Sequence, residues 1–408
     1  MLWTGLADTA VELLAAKSVN DLLEVIYDAL EVHRTIANRG HSLNLDVGMP
    51  NVLMNPLTSL HSEQSEQDIL RDCPPLIDEV VAGGDARNSN ERMVRCFIVD
   101  LEHTLDLTAG AYANGVEVQL YRRPGAPFNT ARAVCGSRVH CNPSTLYWLR
   151  QMPLLDGDAK SLYIKMHGEE RYNKYNDHLG FIHGGKPPKG QDLCELYEKA
   201  EAMPFYDRWE YGAESIFWSM LGALLRVTPV GFEEMPTDTS ANNLNKTWRI
   251  LCDFVLPEED TCEDSRNTLL SVVYQKRLIK SFPSVMKPVA LLLVDIIFHV
   301  LPPYPLMDEL PTHHDHLHGA IQRLILQYLV NNRDNPIVLE PRKLRAGTFP
   351  SAPAVNRGSL SHSQHSASQP SPGSRGKKRT LALEGDPAIG PATKQPRCST
   401  LLPTDRYR

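Results

Sequence analysis

Apolar positions recur at helical spacing through most of the first 340 residues. Leu22, Ile26, Ala29, Leu30, His33 and Ile36 form one stripe of a helix predicted over 18–37. Ser18 and Asp21 stand at its start in the arrangement of a capping box, and Gly40 follows its end. Ile216, Phe217, Met220, Leu221, Leu224 and Leu225 predict a second strong helix over 214–226. Further helices are expected at 191–202, 242–255, 265–281, 287–300 and 316–331. Alternation and β-branching predict only short strands, one opened by Asn51 and one over 94–99 that ends at Asp100. Between Asp100 and about residue 190 closely spaced prolines predict mostly loop. The polar stretch 57–92, with Gly83-Gly84 and Asn88-Ser-Asn90, reads as a surface insertion.

The composition changes at about residue 341. Segment 341–408 holds nine Ser and nine Pro, with 12 Lys or Arg against 3 Asp or Glu. Such a segment buries too little apolar surface to offset its ordering entropy, so a disordered basic tail is expected. Residues 1–340 carry 30 basic against 46 acidic side chains. An acidic body argues against a nucleic-acid-binding core, and no specific nucleic-acid partner is expected. In the tail, Gly376-Lys-Lys-Arg379 and Lys394-Gln-Pro-Arg397 are spaced like a bipartite nuclear-import signal, which makes an import receptor a candidate partner of 377–397. The serines at 359–374 are candidate phosphate acceptors.

The eight cysteines form no C-x-x-C pair, which argues against zinc ribbons and redox motifs. The first residues lack a basic n-region and a long apolar h-region, so no signal peptide is expected. The most apolar run, 289–301, is too short to span a bilayer and is interrupted by Asp295 and His299. No membrane partner is expected, and the location expected is intracellular, cytoplasmic or nuclear.

Three oxygen-bearing side chains carry the candidate chemistry. Asp46 is followed five residues later by Asn51, and Asp100 ends the second strand. A phosphoryl-transfer site needs one carboxylate to accept the substrate hydroxyl proton. It also needs an Asn five residues on and a second Asp to hold magnesium on the ATP phosphates. Taken alone, the same three residues also read as turn and strand-end positions around Gly48 and Pro50.

The order of elements, together with five segments, resembles the C-terminal lobe of the fungal-type protein kinases. Asp28-Ala-Leu-Glu-Val-His-Arg34 resembles the family's "DAIEAHR" helix. Asn44-Leu-Asp46-Val-Gly-Met-Pro-Asn51-Val-Leu-Met54 resembles its "HRDIS-x-x-NIL" loop, and Val99-Asp100-Leu-Glu102 its "IDFD" motif. Asp207-Arg-Trp-Glu-Tyr-Gly-Ala-Glu-Ser-Ile-Phe-Trp218 is similar to "HRWxHDxESxFW". His318-Gly-Ala-Ile-Gln-Arg-Leu-Ile-Leu-Gln-Tyr-Leu329 is similar to "HEAxQRxxLxxL".

The resemblance implies a mainly α fold over 1–340 with one or two short β-hairpins and no N-lobe. It implies ATP-dependent transfer to a Ser or Thr hydroxyl of a protein substrate. Asp46 would be the base, and Asn51 and Asp100 the ligands of Mg²⁺ and hence of ATP. Several positions depart from the family pattern. Asn44-Leu45 replaces its His-Arg, and Gly212 stands where it has an Asp that bonds the catalytic-loop backbone. The first helix leaves no room before it for a glycine-rich loop or its Lys. These departures keep open a second reading, a non-catalytic pseudokinase or protein-binding module, and a third, a helical scaffold unrelated to kinases.

Two other motifs compete. Gly180–Pro187 approaches a Walker A loop but ends in Pro187, which lacks the hydroxyl that binds magnesium. His314 and His318 are four apart and would share a helical face suited to zinc, but the entry to a helix is expected to expose such residues.

Overall fold

The computed structural model describes residues 11–40, 42–44, 47, 51–55, 74–84, 95–98, 104–106, 152–174, 209–232, 239–252, 266–301 and 314–342. In chain order the elements are β1 (Val11–Glu12), a 3-10 turn, α1 (Val19–Gly40), β2 (Ser42–Asn44), β3 (Val52–Met54), α2 (Ile77–Val81), β4 (Cys96–Ile98) and β5 (Thr104–Asp106). Then come α3 (Gly157–His167), α4 (Glu169–Asn173), α5 (Trp209–Arg226), β6 (Val227–Pro229), α6 (Thr239–Cys252) and α7 (Arg266–Leu270). The series ends with α8 (Val272–Lys280), α9 (Lys287–Val300), α10 (His316–Asn331) and β7 (Leu339–Pro341). The described residues are mainly helical, with three small antiparallel sheets ordered β1-β3-β4, β2-β5 and β6-β7.

α1 forms where its stripe predicts. The Ser18 hydroxyl accepts the Asp21 N–H at 3.1 Å and so satisfies a first-turn donor. Its stripe is buried, with Leu22, Ile26, Ala29 and Leu30 at 0% exposure. Each such aliphatic side chain contributes about 1.5–3 kcal/mol by leaving water.

α5 differs in kind. Every residue from Glu210 to Leu225 is buried, so this helix has no solvent face and lies at the centre of the core. α1 packs against both α5 and α10, and α10 also packs against α9.

Two expectations are corrected, and two further features are added. The segment before residue 190, expected to be loop, holds α3 and α4; Pro153 and Pro187 leave a proline-free stretch between them long enough for both. The helix expected over 265–281 is two, α7 and α8, because Ser271 leaves helical geometry and caps α8 by accepting the Tyr274 N–H. The expected surface insertion 57–92 contains α2, whose Ile77 and Val80 are fully buried. After α2 the chain turns at Gly83 (φ 64°) and Gly84 (φ 88°), in the left-handed region where glycine is unstrained. β6-β7 joins the end of α5 to the end of the described chain, a pairing that periodicity did not reveal in three-residue strands.

No described helix is long and apolar enough to cross a membrane. The helix expected at 191–202, the Walker-like 180–187 segment and the tail beyond Arg342, with its import-signal and serine positions, lie outside the described residues.

Candidate functional site

The site is framed by two ladders, one nested inside the other in sequence. β2 pairs with β5, with Asn44 opposite Thr104. β3 pairs with β4, with Val52 opposite Ile98. Residues 45–51 therefore run from β2 to β3, while residues 99–103 run from β4 to β5. Each connection starts on one ladder and ends on the other, so the ends of both are brought to the same place.

Asp46 follows Asn44 by two residues, Asn51 precedes Val52, and Asp100 follows Ile98 by two. Asp46 and Asp100 lie outside the described residues. Asn51 is described: it is 7% exposed at the entry to β3. Val47, next to Asp46, is fully buried in the core and ties the first connection down. The chain between Asn51 and Asp100, 49 positions apart, leaves on one strand and returns on its neighbour, and Asn55 N–H to Arg95 C=O at 3.0 Å extends that ladder.

Carboxylates of α1 and α2 hold the residue that leads into β4. Arg95, immediately before β4, binds both carboxylate oxygens of Asp78 at 2.7 Å and lies 3.2 Å from Glu24. Asp28 is fully buried and accepts the Ile77 N–H at 2.7 Å, which fastens α2 to α1. Burial pushes its carboxyl well above the ordinary range, against the hydrogen bond from Ile77 N–H, which lowers it. Burial likewise raises Glu24 to about 7, with Arg95 opposing the shift. The Cys96 thiol is also raised by burial, which makes it an inert core residue.

The other end of α1 enters a buried polar junction with α4, α5 and α10. Glu31, 2% exposed, pairs with Arg34 one turn on and with Arg171 of α4 at 3.0 Å. It also accepts the Gln322 amide of α10 at 2.9 Å, and the same amide donates to the Tyr27 C=O at 3.2 Å. Arg323 donates to the C=O of Tyr172 at 2.6 Å and to that of Pro153 at 3.3 Å, and it lies over the Tyr163 and Tyr172 rings.

Gly212 faces His33. A Cβ at 212 would overlap the His33 ring, so the absence of a side chain on α5 makes room for that imidazole. His33 Nδ1 meets His318 Nε2 at 2.9 Å, with the rings stacked 14° from parallel. The space above Gly212 is thus filled from α1 by the His33 ring.

Three of the resembling segments, those at 28–34, 207–218 and 318–329, converge in this junction. Their motif positions were visible in the sequence; the partners on α4 were not, because Arg171 sits in a segment expected to be loop.

The expectation that the helix-entry histidines are exposed is corrected for two of them. His316 is 4% exposed and His318 is 0% exposed, because α10 is embedded from its first turn. His314 is exposed, edge-on to Trp209 with ring centres 4.2 Å apart. Among the described residues no three His, Cys, Asp or Glu side chains are grouped to hold a metal ion.

The candidate donor set, two carboxylates and a carboxamide, consists of hard oxygen ligands suited to magnesium rather than to zinc. In comparisons with family models, characterised proteins and solved structures, none matches this chain.

Proposed function

We propose that the body is a protein-kinase-like C-terminal lobe whose 45–51 and 99–103 connections form a phosphoryl-transfer half-site. The observation that carries this reading is the nested pairing of β2 with β5 and β3 with β4. It brings together the ends of the connections that hold Asp46, Asn51 and Asp100. In this reading Asp46 accepts the proton of a Ser or Thr hydroxyl on a protein substrate. Asn51 and Asp100 supply oxygen ligands for magnesium. Bound Mg²⁺-ATP would supply the γ-phosphoryl group, with its charge neutralised by the metal. Buried Val47 and Asn51 flank Asp46 on its C-terminal side in sequence.

The test is calorimetric titration of the full chain with Mg²⁺-ATP, with Asp100→Ala as control. Saturable binding that weakens at least tenfold in the variant supports the half-site. Equal heats in both proteins, or none at millimolar nucleotide, would overturn it.

A second reading, a non-catalytic binding module, is favoured by a specific observation. The place of the family's loop-bonding aspartate is taken by Gly212 and the His33 ring. A hydrogen bond from α5 to the 45–51 backbone through a side chain at 212 is therefore unavailable. Retained nucleotide binding without transfer to any peptide substrate is the outcome that selects this reading.

A further inference from the structure

The His33–His318 pair is placed as few histidines are. His318 is fully buried, and His33 is 2% exposed. One hydrogen bond joins them, between His33 Nδ1 and His318 Nε2. His318 Nδ1 is buried without a hydrogen-bond partner. A bare lone pair at that atom costs less than a bare N–H, so His318 is the Nε2–H tautomer and donates to His33 Nδ1. Both nitrogens that meet are then used, and the His318 ring is neutral. A second proton on His318 has only Nδ1 to occupy, where no acceptor waits.

Among the described residues, the groups around His318 offer a positive charge little relief. His314, from the turn before α10, disfavours one. α5 presents Gly212, which has no side chain, and Trp209 one turn earlier lies against His314. The nearby carboxylates hold other partners: Glu31 with Arg34 and Arg171, Asp315 with Lys174 at 3.7 Å, and Glu214 with the Trp218 indole at 2.9 Å.

We propose that the His33–His318 pair is an acid-release latch: uncharged, it ties α1 to α10 over Gly212, and a second proton on His318, which would be shut in at the unpaired Nδ1, is taken up only when the two helices part. Because α1 runs directly into β2, release would loosen the ladder that leads to Asp46. The latch stands whether or not the site transfers phosphoryl groups. The direction of its titration agrees with the geometry, since burial first, then His33 and His314, hold His318 well below the ordinary histidine range. A group whose folded pKa is depressed contributes stability above its ordinary pKa of 6.5, and that stability is lost as pH falls below it.

Two measurements on the full chain test this. Urea unfolding from pH 7.5 to 5.5 should show the unfolding constant of the native protein rising on acidification. His318→Gln, which cannot titrate, should remove up to about a tenfold rise per pH unit below 6.5. A purely structural role for His318 would lower stability equally at every pH and leave the slope unchanged, which would overturn the latch. Imidazole ¹⁵N shifts of the unmutated protein decide the matter even if the variant fails to fold. His318 should stay neutral at pH 5.5 in the folded state, and titration near 6.5 would refute the proposal.

Discussion

α1 serves two regions that solve the problem of buried polarity differently. Its first half, through Glu24 and Asp28, backs the β3–β4 ladder beside the candidate site. Its second half, through Glu31, His33 and Arg34, enters the junction with α4, α5 and α10. The strands of the first region are three residues long, and such strands are not stable by themselves. They are held by side chains on α1 and α2, and a carboxylate there keeps partial access to water: Glu24 is 20% exposed. The second region joins α1 to α5 and α10, and the α1 side chains that enter it, Glu31, His33 and Arg34, are buried. The site connections thus rest on scaffolding that tolerates adjustment, while the junction behind them does not. Substitutions in the junction should therefore cost global stability, and those behind the ladder should cost less.

Glu31→Ala gives the largest expected effect. It leaves Arg34, 4% exposed, without its counter-charge and strips Arg171 and Gln322 of their shared acceptor. Removal of one member of a buried ion pair costs about 3–5 kcal/mol. Urea unfolding at neutral pH measures it directly. A loss below about 1 kcal/mol would mean that the junction is no more rigid than the ladder region, and the contrast would fail.

Gly212→Ala comes next. Alanine is the better helix former by about 1 kcal/mol, so propensity alone predicts stabilisation. The added Cβ meets the His33 ring, however, and overpacking costs about 1–3 kcal/mol. Net destabilisation is expected. His33→Ala in the same chain should recover most of the steric part, and the coupling between the two positions should exceed about 0.5 kcal/mol in a double-mutant cycle. Additive effects would show that the histidine does not occupy the space above Gly212.

The long helices were legible because periodicity is a local property. α1, α5, α9 and α10 each repeat an apolar face over at least three turns, and all four lie within a few residues of where the pattern puts them. Asn51 was legible as the opening of a strand, and a strand over 94–99 was legible from β-branching, although β4 spans only Cys96–Ile98. What was not legible is pairing. Nothing in Ser42–Asn44 announces Thr104–Asp106 as its partner, because three residues are too few to set a register and the partner lies about 60 residues away. α2 was hidden inside a polar stretch, since only Ile77 and Val80 of its face are apolar and its attachment is a carboxyl on another helix. The histidines of α10 read as exposed because each is polar; only the three-dimensional neighbour, His33, accounts for the burial of His318.

Glu24→Gln probes the tolerant side of the contrast and should give the smallest change, one that depends on pH. Burial raises the Glu24 carboxyl to about 7, against 4.5 for the ordinary group. Between those values the folded protein binds a proton that the unfolded chain does not. The contribution of this group to stability is therefore fully present below 4.5 and is lost as pH rises through 7. Glutamine cannot ionise, so the variant escapes that loss but forgoes the attraction to Arg95, a partly exposed pair worth less than about 1 kcal/mol. Below pH 4.5 the two proteins should be nearly equal in stability. Above pH 7 the variant should be the more stable, and the difference should grow mainly between pH 4.5 and 7. Urea midpoints across that range read the effect. A variant uniformly weaker at all pH values would place Glu24 among the rigid ion pairs of the junction, and would remove the difference between the two ends of α1.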